Sequence, residues 1–479
     1  DAERAGRKGE ESKLRDEVAR GEATRDITAD MELCFLGTAS CLPSLTRGVS
    51  SLVLRHSLGG AEQRSSASWI FDAGEATQIQ AQKSWLRPST IDKIFITHLH
   101  GDHSFGIAGL MCLIGQDRDR EKEPLTVYGP RGLRALLRVT LQLTGSRSIP
   151  PFRVNELHDV PFLHGRWQRP PVTECDFLEA PRDWRFKEVD DGVDIYPDEN
   201  GVYHVVSGER LTVKAAAMQH TMPCVGYVVE ETKGPDRLRI DRVEEIVEAN
   251  KDALRQLYGR AYKKVYQDIK SLLPGEVFRL PSGEEVTAEE VLTPARNGRK
   301  IVILGDTCDA YAMRELARDA DIVVHEATNA WIPGLDDKTP QEVEYDTISH
   351  GHSTPQMAGE FARDVNAKKL ILSHFSPRYR GDTSEFSRHC MGTMERYARE
   401  AWGVPGCKVS AAFDLMTVPL PRPGYLGEPR EDGSIPEEDS NSEAPARSAR
   451  PLSHMGARRG SGSAASQTMR RFVPRGVDR

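Results

Sequence analysis

Five times along this chain a short apolar run stops at a residue able to bind a metal ion. Lys93–Thr97 runs into His98-Leu99-His100-Gly101-Asp102-His103, and Lys214–Met218 runs to His220. Ile301–Leu304 leads to Asp306, Ile322–Val324 to His325-Glu326, and Leu370–Leu372 to His374. Short runs of this kind, bounded by polar residues and rich in Val and Ile, read as buried strands. In layered α/β proteins, functional groups collect at the carboxyl ends of strands. The pattern therefore demands sheets whose strand ends meet in one cleft.

The loop after the first run is the densest. His98 and His100 alternate, so both rings face one side. After the Gly101 turn, Asp102 and His103 aim at a neighbouring point. Imidazole with carboxylate suits Zn(II), with Mn or Fe as alternatives. The loop together with His220, Asp306 and His374 offers seven ligands. Two ions need about eight contacts before water, and one bridging carboxylate supplies the eighth. A pair of ions about 3.5–4 Å apart stabilises both the attacking and the leaving oxygen, which is hydrolytic chemistry suited to phosphodiester or acyl bonds.

The remaining sequence organises around this core. Further strands are expected at Glu32–Gly37, Ser51–Arg55, Ser68–Phe71, Leu125–Tyr128 and Gly226–Glu230, and helices at 105–115, 130–143, 354–365 and 384–402. Thr354 followed by Pro355 is a helix start signal. The class is α/β in layers. Residues 1–30 read as a charged, disordered arm and 421–479 as a disordered tail, acidic and then basic, flanking a body of 31–420. Within the body, residues 146–208 are rich in Pro, Trp and Asp and read as a surface insertion. Residues 233–290 carry a charged helical stretch from Arg242 to Lys270, then a hairpin around Pro281-Ser282-Gly283, and read as a protruding arm.

Lys and Arg total 64 against 72 Asp and Glu, a net charge of −8, which argues against a uniformly basic nucleic-acid coat. No apolar run approaches the roughly 20 residues of a membrane span. The eight cysteines are scattered without a CxxC pair, so reduced thiols in an intracellular, reducing compartment are expected. Cytoplasm, nucleus and organelle are not distinguished.

Several motifs together resemble one family. They are Phe35-Leu36-Gly37-Thr38, Pro43-Ser44-Leu45-Thr46-Arg47, Phe71-Asp72-Ala73-Gly74-Glu75-Ala76, the metal loop, His220-Thr221-Met222-Pro223, Gly305-Asp306-Thr307, His325-Glu326-Ala327-Thr328, Gly351-His352-Ser353-Thr354 and Ser373-His374-Phe375-Ser376-Pro377-Arg378. From about Met31 to Pro419 the chain resembles ribonuclease Z of short-form type, within the metallo-β-lactamase superfamily. The resemblance implies a four-layered αββα fold with a protruding arm that grips tRNA. It implies an endonuclease that removes the 3′ trailer from precursor tRNA after the discriminator nucleotide, leaving a 3′-hydroxyl. It also implies a homodimer and two Zn(II) per chain, with Mn(II) as a substitute.

The same resemblance assigns residues. His98, His100 and His220 would hold one zinc, and Asp102, His103 and His374 the other, with Asp306 bridging. His325 would assist proton transfer, oriented by Glu326 or Asp102. His352, Ser353, Thr354, Ser376, Arg378 and Arg47 would contact the RNA. Asp72 would support a ligand histidine. Two changes depart from the family pattern: the helical stretch in the arm is longer, and Ala73 and Ala76 replace Cys and Gly. A hydrolase of small phosphodiesters, sulfate esters or thioesters on the same fold is the alternative, and a non-catalytic binding module a third.

Overall fold

The computed structural model describes residues 30–57, 66–118, 123–162, 187–190, 192–208, 210–232, 237–272, 275–293 and 298–420. The expectations for 1–29 and 421–479 lie outside the described residues. The strands in chain order begin with β1 (Met31–Gly37), β2 (Ser51–Ser57), β3 (Ser66–Phe71), β4 (Ile91–Phe95), β5 (Leu125–Pro130), β6 (Phe152–Leu157) and β7 (Asp194–Ile195). Then come β8 (Val202–Ser207), β9 (Leu211–Met218) and β10 (Cys224–Glu231). The arm holds β11 (Arg237–Leu238), β12 (Val277–Arg279), β13 (Glu285–Thr287) and β14 (Leu292–Thr293). The last are β15 (Lys300–Ile303), β16 (Ile322–Glu326), β17 (Lys369–Ser373), β18 (Lys408–Ala411) and β19 (Thr417–Pro419).

Two sheets form, in the order β19-β1-β2-β3-β4-β5-β6-β7 and β18-β17-β16-β15-β10-β9-β8. Their strands are apolar on both faces because both faces are covered. In β1, Leu33 and Phe35 point between the sheets while Cys34 and Leu36 point outward. In the second sheet Ile301, Ile303 and Val324 face inward, and Val302, Val323 and Leu370 outward. The outer face of the first sheet is covered by α1 (Thr77–Lys83), α2 (Ile107–Asp117) and α3 (Leu133–Thr144). The outer face of the second is covered by α4 (Pro355–Asp364) and α5 (Glu385–Trp402). Helix α4 starts where the sequence places it: Thr354 accepts from the Met357 amide, and Pro355 holds the first turn. The result is the expected αββα sandwich.

Residues 146–208 depart from expectation. β6 pairs with β5 in parallel, and Phe152 and Val154 join the outer core. β8 pairs with β9 and sends Tyr203 and Val205 between the sheets. These short alternating strands are masked in the sequence by neighbouring Pro, Asp and Trp. The stretch 163–186 lies outside the described residues.

The arm is also more articulated than one helix. Ile240–Ala249, Lys251–Tyr258, a 3-10 turn at Gly259–Lys264, and Val265–Lys270 follow one another. The chain leaves helical geometry at Asn250 and at Gly259, whose φ is +59°. Val243, Ile246, Leu254, Val265, Ile269, Val286 and Val291 make a core of the arm's own. The pairing of Arg237 with Thr293 clasps its base, and the β12–β13 hairpin sits where it was expected.

Candidate metal centre

Strand β4 ends at Phe95, two residues before the expected end, so the whole metal-binding loop lies beyond the sheet edge. What holds it is a second loop. Asp72, at φ +59°, accepts from the Thr97 amide at 2.7 Å. The Ala73 amide donates to the His103 carbonyl, and the Gly106 amide to the Ala73 carbonyl. A Cβ on Gly74 would lie 2.0 Å from the Asp102 carbonyl oxygen, so only glycine permits this approach. The Asp-Ala-Gly motif is thus the cradle of the metal loop.

Five imidazoles converge above it. The Nδ1 of His103 lies 2.7 Å from Asp72 Oδ2, that of His220 lies 2.8 Å from the Gly351 carbonyl, and that of His374 lies 2.9 Å from Thr328 Oγ1. The first two partners only accept, so Nδ1 carries the proton and Nε2 presents its lone pair to the centre. His98 also points Nε2 inward, whereas His100 points Nδ1.

Ligands about 2.0–2.1 Å from a tetrahedral zinc sit about 3.3 Å from one another. Around one point, His98 Nε2 and His100 Nδ1 are 3.0 Å apart, and His100 Nδ1 and His220 Nε2 are 3.2 Å apart. Asp306 Oδ2 is 3.7 Å from both His98 and His220. Around a second point, His103 Nε2 and His374 Nε2 are 3.3 Å apart, each 3.2 Å from Asp306 Oδ1. Asp102 Oδ2 closes that group at 3.6 and 3.4 Å. Converging lone pairs at these separations repel unless a cation lies between them, so the donor set fits metal.

The electrostatics agree. Burial and the neighbouring His103 lower His98, leaving its imidazole neutral. Burial also lowers His220, to about 4. Burial alone would raise Asp306, yet His374 and His103 hold it well below the usual carboxylate range. Burial likewise opposes the charge on His103, but Asp306, Asp72 and Asp102 raise it well above its ordinary value. A cation would relieve that demand for positive charge.

Beside the cluster, Glu326 is buried and accepts from the Thr307 amide at 2.6 Å and from Thr328 Oγ1. Its Oε1 also lies 3.2 Å from Nδ1 of His352. Burial would lower His352, but Glu326 and Asp306 raise it to about 9. The two residues are 26 positions apart, so no sequence spacing announces this pair. Likewise Thr97, Thr307 and Thr328 orient site groups through hydrogen bonds to Asp72, Glu326 and His374, although each lies within two residues of a candidate site residue and no motif marks that role.

Four expectations are corrected. His325 does not reach the centre: its ring lies 5.5 Å from that of Phe361 on α4, and its Nδ1 bonds the Glu326 carbonyl. Successive residues of a strand face opposite sides, so Glu326 points to the site and His325 must point away. Arg47, expected at the substrate, is buried. It donates to Thr38 Oγ1 and to the carbonyls of Tyr379 and Ala412, with its guanidinium over Phe375. Ser353 is buried and donates to the Thr307 carbonyl at 2.6 Å. Thr354 is consumed as the cap of α4. Arg378 stays partly exposed, paired with Asp336, and Ser376 is half-buried next to His374.

The profile described as metallo-beta-lactamase superfamily matches residues 65–175. The chain is 34% identical over 395 residues to the zinc phosphodiesterase ELAC protein 1 of Bos taurus, covering 82% of this chain and 99% of that protein. It is 31% identical over 393 residues to ribonuclease Z of Bacillus subtilis, covering 82% of this chain and all of that protein. The chain belongs to the ribonuclease Z family. The crystal structure of human tRNase Z, short form, aligns with 82% of this chain and all of that chain, at 29% identity and a TM-score of 0.49. As in the expectation for a ribonuclease Z, the cofactor is a metal, and the His and Asp groups above are its candidate ligands. Among the described residues no helix is long and apolar enough to cross a membrane.

Proposed function

We propose that this cluster is where the chain removes the 3′ trailer from precursor tRNA, with two Zn(II) held by His98, His100 and His220 and by Asp102, His103 and His374. Asp306 would serve both ions. The carrying observation is that carboxylate, whose two oxygens each face a separate group of ligands at 3.2–3.7 Å. By its family the chain is a metal-dependent phosphodiesterase, a tRNA 3′-processing endonuclease. When bound, zinc supplies Lewis acidity to a phosphoryl oxygen and lowers the pKa of water towards neutrality; Mn(II) can stand in.

The chain's own groups do the rest. Asp72, the Gly351 carbonyl and Thr328 fix the ligand rings. His352, protonated against Glu326 at the open side of the cleft, gives a proton to the leaving 3′ oxygen. This role passes to His352 from His325. Ser376 and Arg378 meet the RNA at the rim. The exposed Arg255, Lys263, Lys264 and Lys270 of the arm suit the tRNA backbone away from the cut. Residues 31–420 form the catalytic domain, and the protein is a homodimer, as the resemblance implies. Seven free cysteines among the described residues suit an intracellular, reducing compartment.

The test is incubation of purified protein with a precursor tRNA carrying a 3′ trailer, with and without chelator, alongside metal analysis. A product ending in a 3′-hydroxyl, about two zinc per chain and abolition by chelator are expected. No cleavage by zinc-loaded protein would refute the reading. His352→Asn should lower kcat by about 10²–10⁴, whereas His325→Gln should leave it within a few-fold. Light scattering checks the dimer.

A further inference from the structure

One exposed ring at the metal centre has no part in the chemistry above. Phe105 lies two residues after His103 and is 71% exposed, with its ring packed against Gly101. A Cβ on Gly101 would lie 2.3 Å from the ring, so the ring rests on bare backbone between His100 and Asp102. One side of the phenyl is thus seated on glycine, and the other is open. It borders a cavity of about 360 Å³ that also touches Asp102, Asp306 and His352. The same cavity is lined by Leu42, 61% exposed, and Pro43. Single exposed apolar side chains are ordinary, but here Phe105, Leu42 and Pro43 line one cavity, and contiguous exposed apolar surface marks ligand-binding grooves.

We propose that Phe105 is a positioning residue on which a nucleobase flanking the scissile phosphate stacks, with Leu42 and Pro43 as further apolar lining of its pocket. This rests on the precursor-tRNA reading above. The phosphate must come to the Asp102–Asp306 side of the cavity for cleavage, and the neighbouring base then enters the apolar side. A ring already packed against Gly101 has less freedom to lose when a base stacks on it. Stacking tolerates any base because every base has a π-face, which suits an enzyme whose substrates differ in sequence near the cut. The flanking base is either the discriminator or the first trailer nucleotide, and both offer the same chemistry.

The experiment is a cycle between protein and RNA. Wild type, Phe105→Ala, Phe105→Leu and Phe105→Trp are assayed on precursor tRNA that is intact, abasic at the discriminator, or abasic at the first trailer nucleotide. Stacking on one ring predicts that Phe105→Ala lowers kcat/KM about five- to a hundredfold, mainly through KM. Phe105→Trp should retain activity, and Phe105→Leu, apolar but without a π-face, should not. At one of the two positions, the abasic RNA should cost wild type a similar factor and cost Phe105→Ala nothing further. Metal content and melting temperature are measured for every variant, and if Phe105→Ala fails to fold, the comparison of Leu with Trp decides. Independent, multiplying losses at both abasic positions, or rescue by Leu as complete as by Trp, would overturn the inference. Failure of wild type to cleave the intact RNA would instead overturn the proposed function.

Discussion

Asp72→Asn isolates one charge behind the metal centre. Asp72 sits at φ +59°, a conformation Asn tolerates nearly as well as Asp, so the backbone is not the variable. Its carboxylate accepts from the Thr97 amide, from Thr97 Oγ1 and from His103 Nδ1. An amide cannot satisfy all three. If its oxygen keeps the Thr97 amide, its NH₂ faces the N–H of His103, donor against donor. If it turns, the buried Thr97 amide loses its partner. A hydrogen bond to a charged group is worth about 1.5–3 kcal/mol, so His103 becomes a poorer ligand by roughly ten- to a hundredfold in metal affinity. Titration against a fluorescent zinc chelator reads this directly. Turnover of precursor tRNA should fall at low zinc and recover when zinc is raised. Wild-type affinity would refute the reasoning, and so would lost turnover in a fully metal-loaded variant.

Three further outcomes are expected. Arg47→Ala should destabilise the fold by about 2–6 kcal/mol in urea denaturation, because it leaves two buried carbonyls, of Tyr379 and Ala412, unpaired; a loss confined to KM would restore Arg47 as a substrate contact. His56 lies edge-on to Trp69 at 4.9 Å, neither ring nitrogen has a partner among the described residues, and burial pushes its pKa down to about 3. The folded state therefore binds fewer protons than the unfolded chain, and stability is lost as pH falls from about 6.5. About 2 kcal/mol should disappear between pH 7 and pH 5, and His56→Phe should remove that slope; an unchanged slope contradicts it. Replacing 239–291 with a short Gly-Ser linker should cut kcat/KM on precursor tRNA on the order of a hundredfold by removing the arm's cations. Hydrolysis of bis(p-nitrophenyl) phosphate should persist, since every candidate ligand lies outside the arm; equal loss of both activities would tie the arm to the fold rather than to RNA.

The net charge of −8 is not in conflict with an RNA partner. Part of the acidic count is the carboxylates gathered at the metal centre, and within the arm, which carries both signs, Arg255, Lys263, Lys264 and Lys270 are exposed along one stretch. A whole-chain sum does not resolve such local groupings.

The sequence by itself determined the strands that lead to the metal centre, because Val- and Ile-rich runs with both faces apolar suit only a buried sheet; β6 and β8, lying among Pro, Asp and Trp, it did not. It also determined the seven candidate ligands, because a strand end delivers its next residues to the sheet edge whatever lies beyond. Tertiary structure decided which neighbours share a function. His325 and Glu326 are adjacent in the chain yet face opposite layers, a consequence of strand pleat that no motif displays. His352 meets Glu326 only because the loop before α4 folds back over β16. Arg47 is a substrate contact by resemblance alone; it is buried because carbonyls from segments more than 300 residues away converge on it. Periodicity is local and can be read along the chain. Partnership at a site depends on contacts distant in sequence, and these exist only once the two sheets have packed.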